Sequence, residues 1–128
     1  MSYLLKFELP GLPKMSNQLL RGHWRSKHIH AKKWKREIWM AAIHLKPLQP
    51  LEKALVTITR CSSVCPDFDG LVSAGKPLID GLVECGVLIG DGMHVIGQPT
   101  YLWRKAAPGE GRTIILVNEV ITGEIQNG

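Results

Sequence analysis

The sequence predicts one small domain of the α/β (α+β) class, a mixed or mostly antiparallel sheet of four to five strands packed with two helices. Three observations predict it. Runs rich in β-branched residues alternate with runs of helical period. Clusters of Pro and Gly mark the boundaries between them. A chain of 128 residues, 45% of them hydrophobic, builds one self-sufficient core and has no room for a second domain.

Residues 4–9 alternate loosely between apolar and polar and read as a strand, stopped by the rigid turn Pro10-Gly11-Leu12-Pro13. Over residues 30–45, Trp34, Ile38, Ala41 and Leu45 recur at steps of four, three and four, which makes one apolar helical face. Pro47 and Pro50 close that helix. Residues 54–61 carry Val56, Thr57, Ile58 and Thr59 and read as a second strand. Residues 78–85 read as a second helix, with Pro77 in its first turn and Gly86 as its C-terminal cap. Gly81 weakens that helix by about 1 kcal/mol relative to Ala. Residues 87–89 are a short apolar run ending in the turn Gly90-Asp91-Gly92. Residues 98–103 and 113–120 complete the strands, with residues 107–111 expected as a hairpin loop between them. The folded unit is expected to span residues 1–121, with 122–128 as a frayed tail.

Charge is unevenly spread. The net of +5 and the pI near 9.3 imply an acidic partner, most often nucleic acid. Residues 1–60 hold twelve Lys and Arg against three acids, a net of +9; residues 61–128 hold four against eight, a net of −4. All four Asp of the chain, Asp67, Asp69, Asp80 and Asp91, fall in one 25-residue window. No apolar run is long enough to span a membrane, and no signal-peptide pattern opens the chain, so a cytoplasmic protein is expected. Three Cys exclude a complete disulfide framework.

Two constellations point to chemistry. If Asp67-Phe68-Asp69 is extended, both carboxylates face one side and Phe68 the other. Close carboxylates repel unless a cation sits between them, and Mg²⁺ is held by one or two carboxylates plus waters and phosphate oxygens. Asp91, on its Gly-flanked turn, is a candidate third ligand. Any one of these Asp also suits a turn; their clustering favours the metal. Lys76, expected just outside the second helix, is spaced four residues from Asp80, either as a simple ion pair or as a group that stabilises negative charge on a phosphate. The second constellation is basic. Residues 14–36 hold eight Lys and Arg and no acid: Lys14, Arg21, Arg25, Lys27, Lys32, Lys33, Lys35 and Arg36. Such a stretch neutralises phosphates; Trp24, expected in a loop, suits base stacking, whereas Trp34 has the helical phase of a core residue. The cysteines and His94 lack the paired spacings of a zinc site. No nucleotide-binding fingerprint is present, so no nucleotide cofactor is expected.

The set Leu9-Pro10-x2-Pro13-x2-Ser16-Asn17, then Asp67-x-Asp69, Lys76-x3-Asp80-x-Leu82-x3-Gly86-Val87 and Gly90-Asp91, resembles the RusA-type Holliday junction resolvases, small endodeoxyribonucleases often carried by phages. The resemblance runs over most of the chain and is strongest from Pro66 to Val95. It implies a homodimer that binds branched DNA, the four-way junction of recombination and repair, and makes paired nicks with Mg²⁺ or Mn²⁺. It assigns metal binding to Asp67, Asp69 and Asp91, the catalytic lysine to Lys76 and a supporting role to Asp80; the basic stretch, with Asn17, is expected to contact the DNA. The chain departs from the family at Gly70, where Asn is usual, and at Gly90, where Asp is usual. Residues 70–75 make the step from Asp69 to Lys76 three residues longer. The alternative reading of the same residues is a non-catalytic, basic nucleic-acid-binding protein.

Overall fold

A computed structural model of the chain describes residues 3–15 and 24–121. The elements run β1 (Leu4–Pro10), α1 (Trp24–Ala42), β2 (Ala54–Ser62), α2 (Phe68–Glu84), α3 (Met93–Ile96), β3 (Thr100–Lys105) and β4 (Arg112–Glu119). Three helices pack with one four-stranded mixed sheet of order β1-β4-β2-β3, the small α+β domain expected. β4 pairs antiparallel with β1 and with β2, while β2 and β3 run parallel. No described helix is long and apolar enough to cross a membrane.

The period-two pattern of the strands builds the core. Leu5, Phe7 and Leu9 of β1, Val56 and Ile58 of β2, and Ile115 and Val117 of β4 all turn to one face. There they meet Trp34, Ile38 and Ala42 of α1 and Leu78 and Leu82 of α2. Cys85, the C-cap of α2, is buried in the same cluster.

The hairpin expected over residues 107–111 does not form, because β2 lies between β3 and β4. β2 is buried along nearly its whole length and takes the interior position, which only a strand with partners on both edges can satisfy. The connection passes the end of β2 instead, held by Ala106 N–H donating to the Ser62 carbonyl at 3.0 Å and turning at Gly109 with φ +84°.

Both long helices start earlier than their apolar periodicity does. α1 begins at Trp24 rather than near residue 30, and residues 24–29 are all exposed. A helical turn that buries nothing leaves no periodic signal. At the other end α1 stops at Ala42, and the amides of Leu45 and Lys46 both bond the Ala42 carbonyl, leaving Leu45 exposed. α2 begins at Phe68, ten residues before the expected start, so Lys76 lies inside the helix and Pro77 in its middle. Asp67 supplies the cap that starts it: its carboxylate accepts the Gly70 N–H at 2.7 Å. Burial of Gly70, Ala74, Gly75, Pro77, Leu78, Gly81 and Leu82 holds the helix through the proline. Gly86, at φ +93°, ends it as predicted. α3, too short to carry a period, was not foreseen; Val95 and Ile96 pin it to the core.

Gly81 explains how closely α1 and α2 approach. A Cβ there would stand 2.9 Å from Ile38 Cβ, which is fully buried and rooted in α1. Gly81→Ala gains about 1 kcal/mol of helix propensity but overpacks the crossing by about 1–3 kcal/mol. The urea midpoint of Gly81→Ala is expected to fall below that of the wild type; a rise would show that the helices separate freely.

Candidate functional site

α2 buries most of its circumference and leaves one polar stripe in water. Asp69, Ser73, Lys76 and Asp80 follow one another at steps of four, three and four, within about 60° of arc. Lys76 Nζ donates to Asp80 Oδ1 at 3.0 Å and to Asp91 Oδ2 at 3.2 Å. Asp91 comes from the turn before α3, so two elements converge on one ammonium. The hydrogen bond to Asp80 is the largest cause of a raised Lys76 pKa; partial burial works against it and the Asp91 hydrogen bond adds to it. Lys76 is therefore firmly cationic.

The predicted pairing of Asp67 with Asp69 on one face of an extended segment is not found. The helix has already begun, and Asp67 spends its carboxylate on the Gly70 cap. Asp69 is exposed in the first turn, about 10 Å of helix rise from Lys76. Among the described residues no three of His, Cys, Asp and Glu gather as metal ligands. Cys61 and Cys85 are buried thiols and Cys65 an exposed one.

The basic residues divide by the helical phase of α1. Arg25, Lys27, Lys32, Lys33 and Arg36 are exposed. Arg25 lies over the Trp24 ring at 6.0 Å, and Lys33 over Trp34 at 5.2 Å. Lys35 bonds Glu84 of α2 at 2.9 Å, which joins the two helices and leaves it less available to a ligand. Trp24 stands on the first turn of α1 rather than in a loop, and is exposed; Trp34 is buried, as its phase predicts. Asn17 and Arg21 lie outside the described residues. α1 and α2 cover the same face of the sheet, so their outer surfaces form one side of the molecule.

A strap of residues 11–15 leads to the basic stretch and is tied at every step. Thr113 Oγ1 donates to the Gly11 carbonyl at 3.0 Å, and Arg60 Nη1 to the Pro13 carbonyl at 2.6 Å. Lys14 N–H donates to His30 Nε2 at 2.9 Å. Met15 Sδ fills the space where a side chain at Gly70 would begin, which sets the strap beside the Asp67 cap. Sequence reasoning missed Arg60, a buried cation in a β-branched run, because nothing in a strand pattern marks a guanidinium bound for a distant carbonyl. It also missed Trp39, half exposed and one turn after Lys35 and Arg36; its position off the Trp34–Ile38 face was the available signal.

No protein-family model matches the chain, and no curated protein matches it.

Two outcomes follow from this geometry. Asp80→Asn and Asp91→Asn should each lower the Lys76 pKa, read by NMR titration of the lysine side chain; absent shifts would show that the three groups do not meet. His30 titrates below its ordinary value near 6.5, first through burial and then through the charges of Lys14 and Lys33. The unfolded chain therefore takes up this proton first. The contribution of His30 is complete above pH 6.5 and declines as pH falls from there through the lowered folded value. His30→Gln, which can still accept the Lys14 N–H, should lose less stability than the wild type between pH 7.5 and 5.5 in urea unfolding. Parallel losses would remove His30 from the acid response.

Proposed function

We propose that the chain is a metal-dependent endodeoxyribonuclease of the RusA type, which resolves four-way DNA junctions by paired, symmetric nicks in recombination and repair. The observation that carries this reading is the convergence of Asp80 and Asp91 on the Lys76 ammonium, on the same side of the molecule as the cationic face of α1. Two carboxylates drawn to one cation are a hard-oxygen donor pair. Mg²⁺ or Mn²⁺ asks for little more, since waters and substrate phosphate complete the shell. Asp80 and Asp91 fit as its protein ligands. Asp67 does not, because its carboxylate caps α2. When bound, the ion would polarise the scissile phosphate and acidify a water.

The remaining work falls to the chain's own side chains. Lys76 offers an ammonium beside that pair, where it can offset the charge that builds on a phosphate in the transition state. Lys32, Lys33 and Arg36 would grip the phosphates of the junction arms, which orients DNA without reading its sequence. Lys14, at the end of the strap, extends that grip toward α2. A two-fold homodimer would present two such sites to strands of like polarity. A second reading has its own support. Lys76 already neutralises Asp80 and Asp91, as expected of a basic nucleic-acid-binding protein whose acids are structural.

One experiment separates the readings. The protein is incubated with a synthetic four-way junction, with and without Mg²⁺, and the nicks are mapped. Paired symmetric nicks that need Mg²⁺ are expected. Asp91→Asn should reduce nicking to background with junction affinity retained, while Asp67→Ser, which keeps a helix cap, should still nick. Junction binding with no nicking in Mg²⁺ or Mn²⁺ selects the second reading.

A further inference from the structure

β1 is an outer strand of the sheet, and among the described residues it pairs only with β4. Its bonds to β4 use every second residue. Glu119 N–H donates to the Tyr3 carbonyl at 2.8 Å, and Gly11 N–H to the Gly111 carbonyl at 3.1 Å. The odd-numbered residues between them therefore bond inward, and Leu4, Lys6 and Glu8 turn their N–H and C=O groups to the open edge. Pro10, which has no N–H, presents only its carbonyl there. The side chains follow the same period: Leu5, Phe7 and Leu9 enter the core, while Leu4, Lys6, Glu8 and Pro10 are exposed.

An open row of backbone groups is a template for another strand, and proteins commonly guard it with charge. The charges on β1 do not guard it against a second copy. In an antiparallel pair of β1 strands, even-numbered residues must face even-numbered residues. The two-fold register centred on Phe7 then places Lys6 of each copy opposite Glu8 of the other, whereas the adjacent registers set Lys6 on Lys6 or Glu8 on Glu8. In the Phe7 register Lys6 and Glu8 exchange both backbone bonds, Leu4 N–H meets the Pro10 carbonyl, and Leu5 lies opposite Leu9 on the core side. Glu8 spends Oε1 on Arg112 at 3.0 Å and keeps Oε2 for this pair. The other outer strand, β3, offers no such match, since it carries Arg104 and Lys105 and no acid.

The helix above the edge suits the same partner. α1 lies on the β1 side of the sheet and α2 on the β3 side. Glu37, the only acid of α1, and Met40, 52% exposed, lie roughly 140–160° around the helix from Lys35, the residue that reaches α2. That flank overlooks the β1 edge.

We propose that the β1 edge is the contact of a homodimer, in which β1 of two copies pairs antiparallel in the Phe7 register and joins the two sheets into one. The inference takes the homodimer from the reading above, rests on that part of it, and gives it a surface. The two-fold axis of such a pair is perpendicular to the sheet, so both helix layers lie on one face. The two Lys76 clusters then flank the paired α1 helices roughly 30 Å apart, from helix spacings of about 10 Å. One branched DNA molecule can reach both.

Sedimentation equilibrium of the full chain, at micromolar concentration and low salt, tests this without reference to cleavage. The wild type should be a dimer. Lys6→Glu and Glu8→Lys each set like charges opposite one another at both ends of the strand pair. Each should raise the dimer dissociation constant about tenfold or more. An equimolar mixture of the two variants restores both opposite-charge pairs and should return to within about threefold of the wild-type constant. Recovery in the mixture also shows that both variants fold. A monomeric wild type, a dimer that neither variant weakens, or a mixture no tighter than its components overturns the inference. In the last two cases a protein that nicks the junction leaves the proposed function standing. A wild-type dimer with this charge response that does not nick in Mg²⁺ or Mn²⁺ overturns the proposed nuclease and leaves the interface.

Discussion

The burial of α2 governs the arrangement of the molecule. This helix packs on α1 through Gly81 and Ile38 and on the sheet through Gly75, Ile58 and Tyr101. Those contacts consume most of its surface and leave the polar line of Asp69, Ser73, Lys76 and Asp80, with Phe68, Val72 and Glu84, facing water. The small residues that permit the close packing are poor helix formers, and Pro77 is worse. The helix exists because its tertiary contacts outweigh its propensity. The same contacts determine which side chains can meet a ligand, so packing and candidate chemistry have one cause.

The electrostatic plan follows from that geometry. α1 shares the layer with α2 and turns Lys32, Lys33 and Arg36 outward, while Lys35 is drawn to Glu84 across the helix contact. The acidic residues are held in known company: Asp67 by a backbone amide, Asp80 and Asp91 by Lys76. The cationic face of α1 therefore accompanies a short acidic line on α2 whose charge is already partly answered. The strap at residues 11–15 joins the two regions and is fixed by hydrogen bonds from β2 and β4 and to α1.

Much of this was legible in the residues. Each strand lies within two residues of its expected position, because alternation records which face is buried. Trp34 and Ile38 were placed in the core by helical phase. The helix starts were not legible, for two different reasons. The first turns of α1 bury nothing and so carry no period. In α2 the signal was overwritten by glycines and a proline, which read as a loop until the neighbours that need the space are known. Taking residues 67–69 as extended led directly to a false pairing of Asp67 with Asp69. The segment over residues 70–75 proved to be helical. Seven residues make nearly two full turns, so Asp69 and Lys76 share a face. The meeting of Lys76 with Asp91 depends on a turn and a tertiary contact, and no spacing encodes it.

The strand order has a consequence for how the chain reaches this state. No two consecutive strands are neighbours joined by a tight turn. β1 finds its partner where Leu4 meets Asn118, β2 where Ala54 meets Glu119, and the parallel pair where Thr57 meets Thr100. Each pairing must close a long loop before any hydrogen bond offsets the lost entropy. β4 alone joins β1 to β2, so during synthesis the apolar face of β1 has no sheet to enter until nearly the whole chain has been made. The basic segment and α1 emerge in that interval. A run of like charges is therefore present while the core is still open.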